Sequence, residues 1–135
     1  MKTSEVLYTG DLRTQTTHVR SGQTFITDAP VDNQGKGEAF SPTDLAATSL
    51  ACCMITTMGI AAKTHGINMI GTRAEVLKIM ASDPRRIASI EVDIYMPDLA
   101  FSNKEKVILE KAANACPVNR SLHPDLKEVL RIHWA

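Results

Sequence analysis

From Leu45 to Ala62 the chain runs for eighteen residues without a charge, while its other segments change between apolar and polar positions every few residues. Just before this run, Ser41-Pro42-Thr43-Asp44 has the form of a helix start. Ser41 offers a capping hydroxyl, Pro42 suits the first helical position, and Asp44 closes a capping box while facing the positive helix end. Gly66 follows Lys63-Thr64-His65 and serves as the stop. The pattern therefore predicts a helix of roughly 23 residues, about 35 Å long at the usual rise. Small or apolar residues lie on nearly every side of it, and such a helix has to be covered on every side. A single chain of 135 residues has little to cover it with. The expectation is a homodimer in which two such helices share one core.

Around that helix the pattern is that of strands. Residues 4–9, 14–20 and 23–27 are rich in Val, Thr, Tyr, Phe and Ile, with Ser21-Gly22 as a turn, and predict an antiparallel meander. Residues 28–40 hold Pro30, Asp32-Asn33, Gly35 and Gly37 and predict a long loop, of the length that is usually functional or mobile. Beyond the helix, residues 69–80 predict a strand, and Asp83-Pro84 a turn. Ile90, Val92, Ile94 and Met96 then alternate with Glu91, Asp93 and Tyr95 as a half-buried strand. Residues 103–115 predict a second helix capped by Ser102 or Asn103, with Ile108, Ala112 and Ala115 on one face. Pro117 disfavours helical geometry at Cys116, so the chain breaks there and residues 118–122 form at most a short helical turn. Leu130, Ile132 and Trp134 alternate with Arg131 and His133 in a closing strand. The order βββ, helix, ββ, helix, β predicts an α+β fold, read as one domain over residues 1–135.

Composition narrows the function classes. Fifteen basic and fifteen acidic side chains balance, and no stretch concentrates Lys and Arg. The electrostatic footprint of a nucleic-acid or anionic-membrane binder is missing. The uncharged run reaches the lower bound of a membrane span, but Thr48, Ser49, Thr56, Thr57 and Gly59 interrupt it, and no basic flank or aromatic belt accompanies it. Met1-Lys2-Thr3-Ser4-Glu5 lacks the form of a secretory signal, and three cysteines make no disulfide framework. The expected setting is reducing and cytoplasmic.

Candidate chemistry rests on those cysteines, Cys52, Cys53 and Cys116. A free cysteine is commonly an inert core residue. Helical spacing gives Cys52 and Cys53 different polar neighbours, Thr48 and Thr56 for one and Ser49 and Thr57 for the other, and does not choose between them. Cys116 stands where a helix ends and a turn begins, a place where unpaired backbone N–H groups stabilise a thiolate. A zinc site needs converging ligands at short spacing, whereas His18, His65, His123 and His133 are scattered. Nothing places one of them beside Cys53 for a Cys-His hydrolase, and no glycine-rich phosphate loop precedes a helix. No cofactor is expected.

Together, Ser41-Pro42-x-x-Leu45, Cys53 eight residues after Leu45, and Ala115-Cys116-Pro117-Val118 with Leu122 downstream resemble the OsmC/Ohr superfamily of osmotically inducible and organic hydroperoxide resistance proteins. The resemblance implies an OsmC-like fold in an intertwined homodimer with sites at the dimer interface. It also selects between the vicinal thiols, because the peroxidatic position matches Cys53 and the resolving position Cys116. In the enzymes resembled, the first thiolate attacks the O–O bond of an organic hydroperoxide, releasing an alcohol and leaving a sulfenic acid. The second thiol condenses with it to a disulfide, which a small or lipoyl-type dithiol reduces.

A cation beside the first sulfur completes such sites. The matching position is Arg13, with Arg20 second, and peroxidase members hold that Arg with a Glu directly after the Pro of the Ser-Pro motif. Here the position is Thr43, and the candidates to replace that carboxylate are Glu38, on the loop, and Asp44, which also suits the helix cap. Without one, the expectation is weak activity or activity toward another substrate, and the rival reading is a non-catalytic dimer binding a small apolar ligand in the interfacial pocket.

Overall fold

The computed structural model describes residues 1–135. It has six strands in two three-stranded sheets, with three α-helices. The chain divides into two compact units, Met1–Ala46 and Ala47–Ala135, and the boundary falls inside the first helix.

In the first unit, β1 (Ser4–Gly10), β2 (Arg13–His18) and β3 (Thr24–Asp28) form the predicted antiparallel meander in the order β1-β2-β3. The second strand ends at His18 rather than Arg20, because residues 19–22 make the turn. Gly22 adopts a φ of 76° there, and its N–H donates to the His18 carbonyl at 2.8 Å. Register sets Arg13 opposite Asp28. Val6 and Leu7 are each 64% exposed. Adjacent residues of a strand point to opposite faces, so β1 is exposed on both faces in the single chain, whereas Thr27 and Asp28 at the end of β3 are buried.

The loop after β3 is tied down rather than loose. A turn of 3-10 helix occupies Val31–Asn33, the Gly35 N–H donates to the Pro30 carbonyl at 2.9 Å, and the Gly37 N–H donates to the Ala29 carbonyl at 3.2 Å. A Cβ at Gly35 would stand 1.7 Å from the Ala29 carbonyl oxygen, so only glycine lets the chain pass here. Gly35 and Gly37 therefore fix the path of the long loop predicted over residues 28–40.

Helix α1 covers Pro42–His65. Its start is the predicted box: the Asp44 N–H donates to Ser41 Oγ and the Ser41 N–H donates to Asp44 Oδ2, each at 3.0 Å. Gly66 follows with a φ of 65°. By length and composition α1 would suffice to cross a membrane. Its buried residues, however, are Ala47, Leu50, Ala51, Met54, Met58 and Ala62, recurring every three or four positions as one face toward the core. The opposite stripe, Cys52, Thr56 and Ile60, is exposed in the single chain.

The second unit supplies the core for that face. β4 (Arg73–Ala81) and β5 (Arg86–Tyr95) form an antiparallel hairpin, and β6 (Lys127–His133) returns parallel to β5. The alternation expected for β5 is present, with Ile90, Val92, Ile94 and Met96 buried. β4 starts at Arg73, later than expected, because Gly71 at a φ of 96° and Thr72 bonded to the Met69 carbonyl close a turn first. Helix α2 (Asn103–Ala113) is capped by Ser102, whose Oγ accepts from the Glu105 N–H at 3.1 Å. Its buried face centres on Leu109 and Ala113, one residue away from the face expected on Ile108, Ala112 and Ala115, which are half-buried. Leu50, Met54, Met58, Ile90, Val92, Ile94 and Leu109 belong to a single apolar cluster. Each such side chain contributes about 1.5–3 kcal/mol by leaving water. A short helix, α3 (Pro117–Ser121), lies between α2 and β6.

Candidate active site

In the second unit the fold brings two distant thiols together. Cys53 stands on α1, half-buried and packed against the apolar cluster, while the neighbouring Cys52 is exposed. One turn later, Thr57 donates its hydroxyl to the Cys53 carbonyl at 2.8 Å. Cys116 is fully buried in the core. The break imposed by Pro117 leaves Cys116 extended, with a φ of −77° and a ψ of 146°, as the N-cap of α3. Its Sγ accepts the Asn119 N–H at 3.3 Å, as a serine oxygen does at an ordinary cap.

The two sulfurs are neighbours: Cys53 acts on the Cys116 thiol as a hydrogen-bond partner and as a nearby charge. All three cysteines are free thiols. Burial, first of all, pushes the Cys116 thiol above its ordinary value. The Asn119 N–H works against this, whereas Cys53 and, more weakly, Glu128 add to it. Cys116 is thus kept as a thiol rather than a thiolate at neutral pH. Glu128 reaches this corner from β6, where its carboxylate accepts a hydrogen bond from the Asn119 side-chain amide.

The first unit builds a separate charged cluster. Arg13 donates from Nε to Asp28 Oδ1 at 2.6 Å and from Nη2 to Asp28 Oδ2 at 2.8 Å, the two-pronged geometry that suits guanidinium and carboxylate. Nη2 also donates to Glu38 Oε1 at 2.9 Å, and the Glu38 N–H donates to Asp28 Oδ2 at 3.0 Å. The hydrogen bond from Arg13 holds the Asp28 carboxyl below its usual range despite near-complete burial. In return Asp28, and secondarily Glu38, raise the Arg13 pKa. Arg13 is therefore permanently charged and held in one orientation.

Arg13 thus has two carboxylate partners, one on the loop and one on the facing strand. Of the two candidates, Glu38 contacts Arg13, but the buried partner is Asp28, which sequence reasoning passed over. Its signal was a lone acid closing a strand of Thr, Phe and Ile. Asp44 serves the α1 cap. Thr43 Oγ1 lies 3.2 Å from Ser41 Oγ in the same cap. Arg20 stands exposed in the β2–β3 turn. Among the histidines, His18 bonds Ser21, His123 bonds the Asp125 N–H, and His133 bonds Asp93. No three His, Cys, Asp or Glu side chains converge as a metal site.

Fold and site together define a class, that of α+β chains with two three-stranded sheets and a pair of neighbouring thiols, one on the central helix and one at a later helix cap. Within that class the chain belongs to the OsmC-like protein family, whose model matches residues 35–128. A solved structure from Psychrobacter arcticus 273-4 is 52% identical, covers 98% of this chain and 96% of its own, and has a TM-score of 0.94. That protein is described provisionally as an osmotic stress induced and detoxification response protein. The organic hydroperoxide resistance protein OsmC of Legionella pneumophila is 16% identical, with 98% of this chain and 97% of that chain covered and a TM-score of 0.74. An organic hydroperoxide resistance protein of Elizabethkingia anophelis, with thiocyanate bound, is also 16% identical, with 100% and 98% covered and a TM-score of 0.70. At these identities the last two share the fold. No relative is found among curated proteins.

Proposed function

We propose that the chain is a thiol-dependent peroxidase of organic hydroperoxides, with Cys53 as the attacking thiol and Cys116 as the resolving one. The observation that carries this reading is the adjacency of the two sulfurs, which stand 63 positions apart in sequence (116 less 53) and yet interact in the fold. A thiolate at Cys53 attacks the O–O bond, one oxygen leaves with the alkyl group as an alcohol, and Cys53 is left as a sulfenic acid. The Cys116 thiol then attacks the Cys53 sulfur, the S–O bond breaks as the S–S bond forms, and the proton departs with the hydroxyl as water. A dithiol, small or lipoyl-type, returns both cysteines to thiols.

The cation this chemistry requires is assigned to Arg13, with Asp28 and Glu38 as the carboxylates that orient it. The absence of a carboxylate at Thr43 favours the ligand-binding rival, whereas the two-pronged Asp28 contact on Arg13 supports the peroxidase reading.

A homodimer is part of the proposal. Val6, Leu7 and Tyr8 of β1 and Ile60 of α1 are each more than 60% exposed in the single chain. A three-stranded sheet whose first strand is exposed on both faces has little core of its own. A second copy of the chain provides the missing cover.

The test is consumption of tert-butyl or cumene hydroperoxide in the presence of a dithiol. Wild type turns the peroxide over and Cys53→Ser does not; equal turnover by the two removes Cys53 from the mechanism.

A further inference from the structure

The peroxidase reading assigns Cys116 a reaction but does not explain how a thiol in a five-residue helix cap is held toward its partner. α3 itself is too short to be rigid. Its first turn is tied elsewhere. Asn119 makes two bonds of different kinds: its main-chain N–H donates to Cys116 Sγ at 3.3 Å, and its side-chain amide donates to the Glu128 carboxylate. Glu128 belongs to β6 and lies in parallel register with Ile90 of β5, which is fully buried. The chain Ile90, Glu128, Asn119, Cys116 thus links the resolving sulfur to the most buried strand of the core, bypassing the turn between α2 and α3.

We propose that Asn119 and Glu128 are positioning residues for Cys116: the Glu128 carboxylate, by holding the Asn119 side chain, fixes the main-chain N–H that points the Cys116 sulfur at Cys53, and so sets the rate of disulfide formation. This rests on the reading of Cys53 and Cys116 as a redox pair. The step served is the condensation of Cys53 sulfenic acid with the Cys116 thiol, in which one S–O bond is exchanged for one S–S bond and water leaves. Neither Asn119 nor Glu128 enters that balance. The titratable groups acting on Cys116 are Cys53 from α1 and Glu128 from β6, and both favour its protonated form.

Two substitutions separate holding from charge. Glu128→Gln keeps an acceptor oxygen for Asn119 and removes the charge; Glu128→Ala removes both. One hydrogen bond of ordinary strength corresponds to about a tenfold change in rate. In rapid-mixing experiments with cumene hydroperoxide, Glu128→Ala is expected to oxidise Cys53 at the wild-type rate but to form the disulfide about tenfold more slowly. Cys53 sulfinic acid then accumulates. Glu128→Gln holds the disulfide rate at neutral pH at or above that of wild type, because the acceptor for Asn119 remains and the attacking thiolate is favoured. In a Cys52→Ser/Cys53→Ser background, where Cys116 is the one cysteine left, Glu128→Gln moves the thiolate absorbance titration to lower pH. A residue that merely stabilises the fold would move neither the titration nor the ratio of disulfide to sulfinic acid. Should Glu128→Ala fail to fold, Asn119→Ala cuts the same link from its other side.

Identical disulfide rates in wild type and Glu128→Ala, with superimposable titrations for Glu128→Gln, overturn the proposal. Diamide, an azo oxidant that takes up the two thiol hydrogens as Cys53 and Cys116 join, keeps the two readings distinguishable. If hydroperoxide leaves Cys53 untouched while diamide still forms the disulfide more slowly in Glu128→Ala, the peroxidase reading falls and the positioning role stands. If diamide acts equally on both proteins, the positioning role falls.

Discussion

Replacing Cys116 by serine separates the structural role of this residue from its chemical one. The position is fully buried, and the Sγ accepts one hydrogen bond, from the Asn119 N–H. Serine fills nearly the same space and is itself a favoured N-cap, so α3 keeps its start. Burying a hydroxyl in place of a thiol costs about 1–2 kcal/mol when its proton lacks a strong partner, and the better oxygen acceptor at the cap offsets roughly 0.5–1 kcal/mol of that. The net loss is about 1 kcal/mol, a fall in Tm of roughly 3–5 °C for a chain of this size. Against this small structural effect the chemical one is large, because the one thiol left to condense with Cys53 is the exposed Cys52, its neighbour on another stripe of α1. One equivalent of cumene hydroperoxide, added without any external thiol, should convert wild type to the Cys53–Cys116 disulfide. The same treatment should leave Cys116→Ser at the sulfenic acid, and excess peroxide should drive it to the sulfinic acid, read by peptide mass spectrometry. An intramolecular disulfide in Cys116→Ser at the wild-type yield would make Cys52 the resolving thiol and refute the assignment.

The remaining expectations concern charge and assembly. Asp28→Asn should slow hydroperoxide turnover more than Glu38→Gln does, because Asp28 holds Arg13 by two bonds in a buried position whereas the Glu38 side chain is 64% exposed; equal effects in steady-state kinetics would count against Asp28 as the orienting acid. Since Arg13 depresses the Asp28 carboxyl, the unfolded chain takes up the proton first on acidification. The stability due to this pair is complete above about pH 4 and fades as pH falls, a loss absent from Asp28→Asn in acid denaturation. Cys116 behaves oppositely: its thiol is raised by burial, so its share of stability is complete below about pH 8.5 and is lost as pH rises further. Cys116→Ser should lack that alkaline decline in urea melts. Ile60→Glu changes a residue that is 64% exposed in the single chain and should convert a dimer to monomer in sedimentation; an unchanged dimer would place the interface elsewhere.

Much of this architecture was legible in the sequence where local chemistry decides it. The Ser41 cap, Asp44 box and Gly66 stop bounded α1 because caps are satisfied within a few residues. The alternation of Ile90, Val92 and Ile94 identified β5 because its two faces meet different surroundings. The start of β4 was misplaced because Gly71 turns the chain inside an otherwise strand-like stretch. α2 was turned by one residue because apolar Ile108, Ala112 and Ala115 flank the stripe that the core selects.

The site was less legible because its contacts are not local. That Arg13 faces Asp28 follows from the register of β2 against β3, which no residue in either strand announces. Neither does spacing bring Cys53 to Cys116; that pairing came from the family resemblance, and in the fold the two thiols are neighbours. Asn119 and Glu128 lie nine positions apart on different elements and escaped notice for the same reason.

The most direct test of the central claim is hydroperoxide turnover by the homogeneous protein with a dithiol reductant, compared between wild type and Cys53→Ser. Consumption of cumene hydroperoxide by wild type, lost in Cys53→Ser and accompanied by a transient Cys53–Cys116 disulfide, is the expected result. Turnover that is absent from wild type, or undiminished by Cys53→Ser, would contradict it.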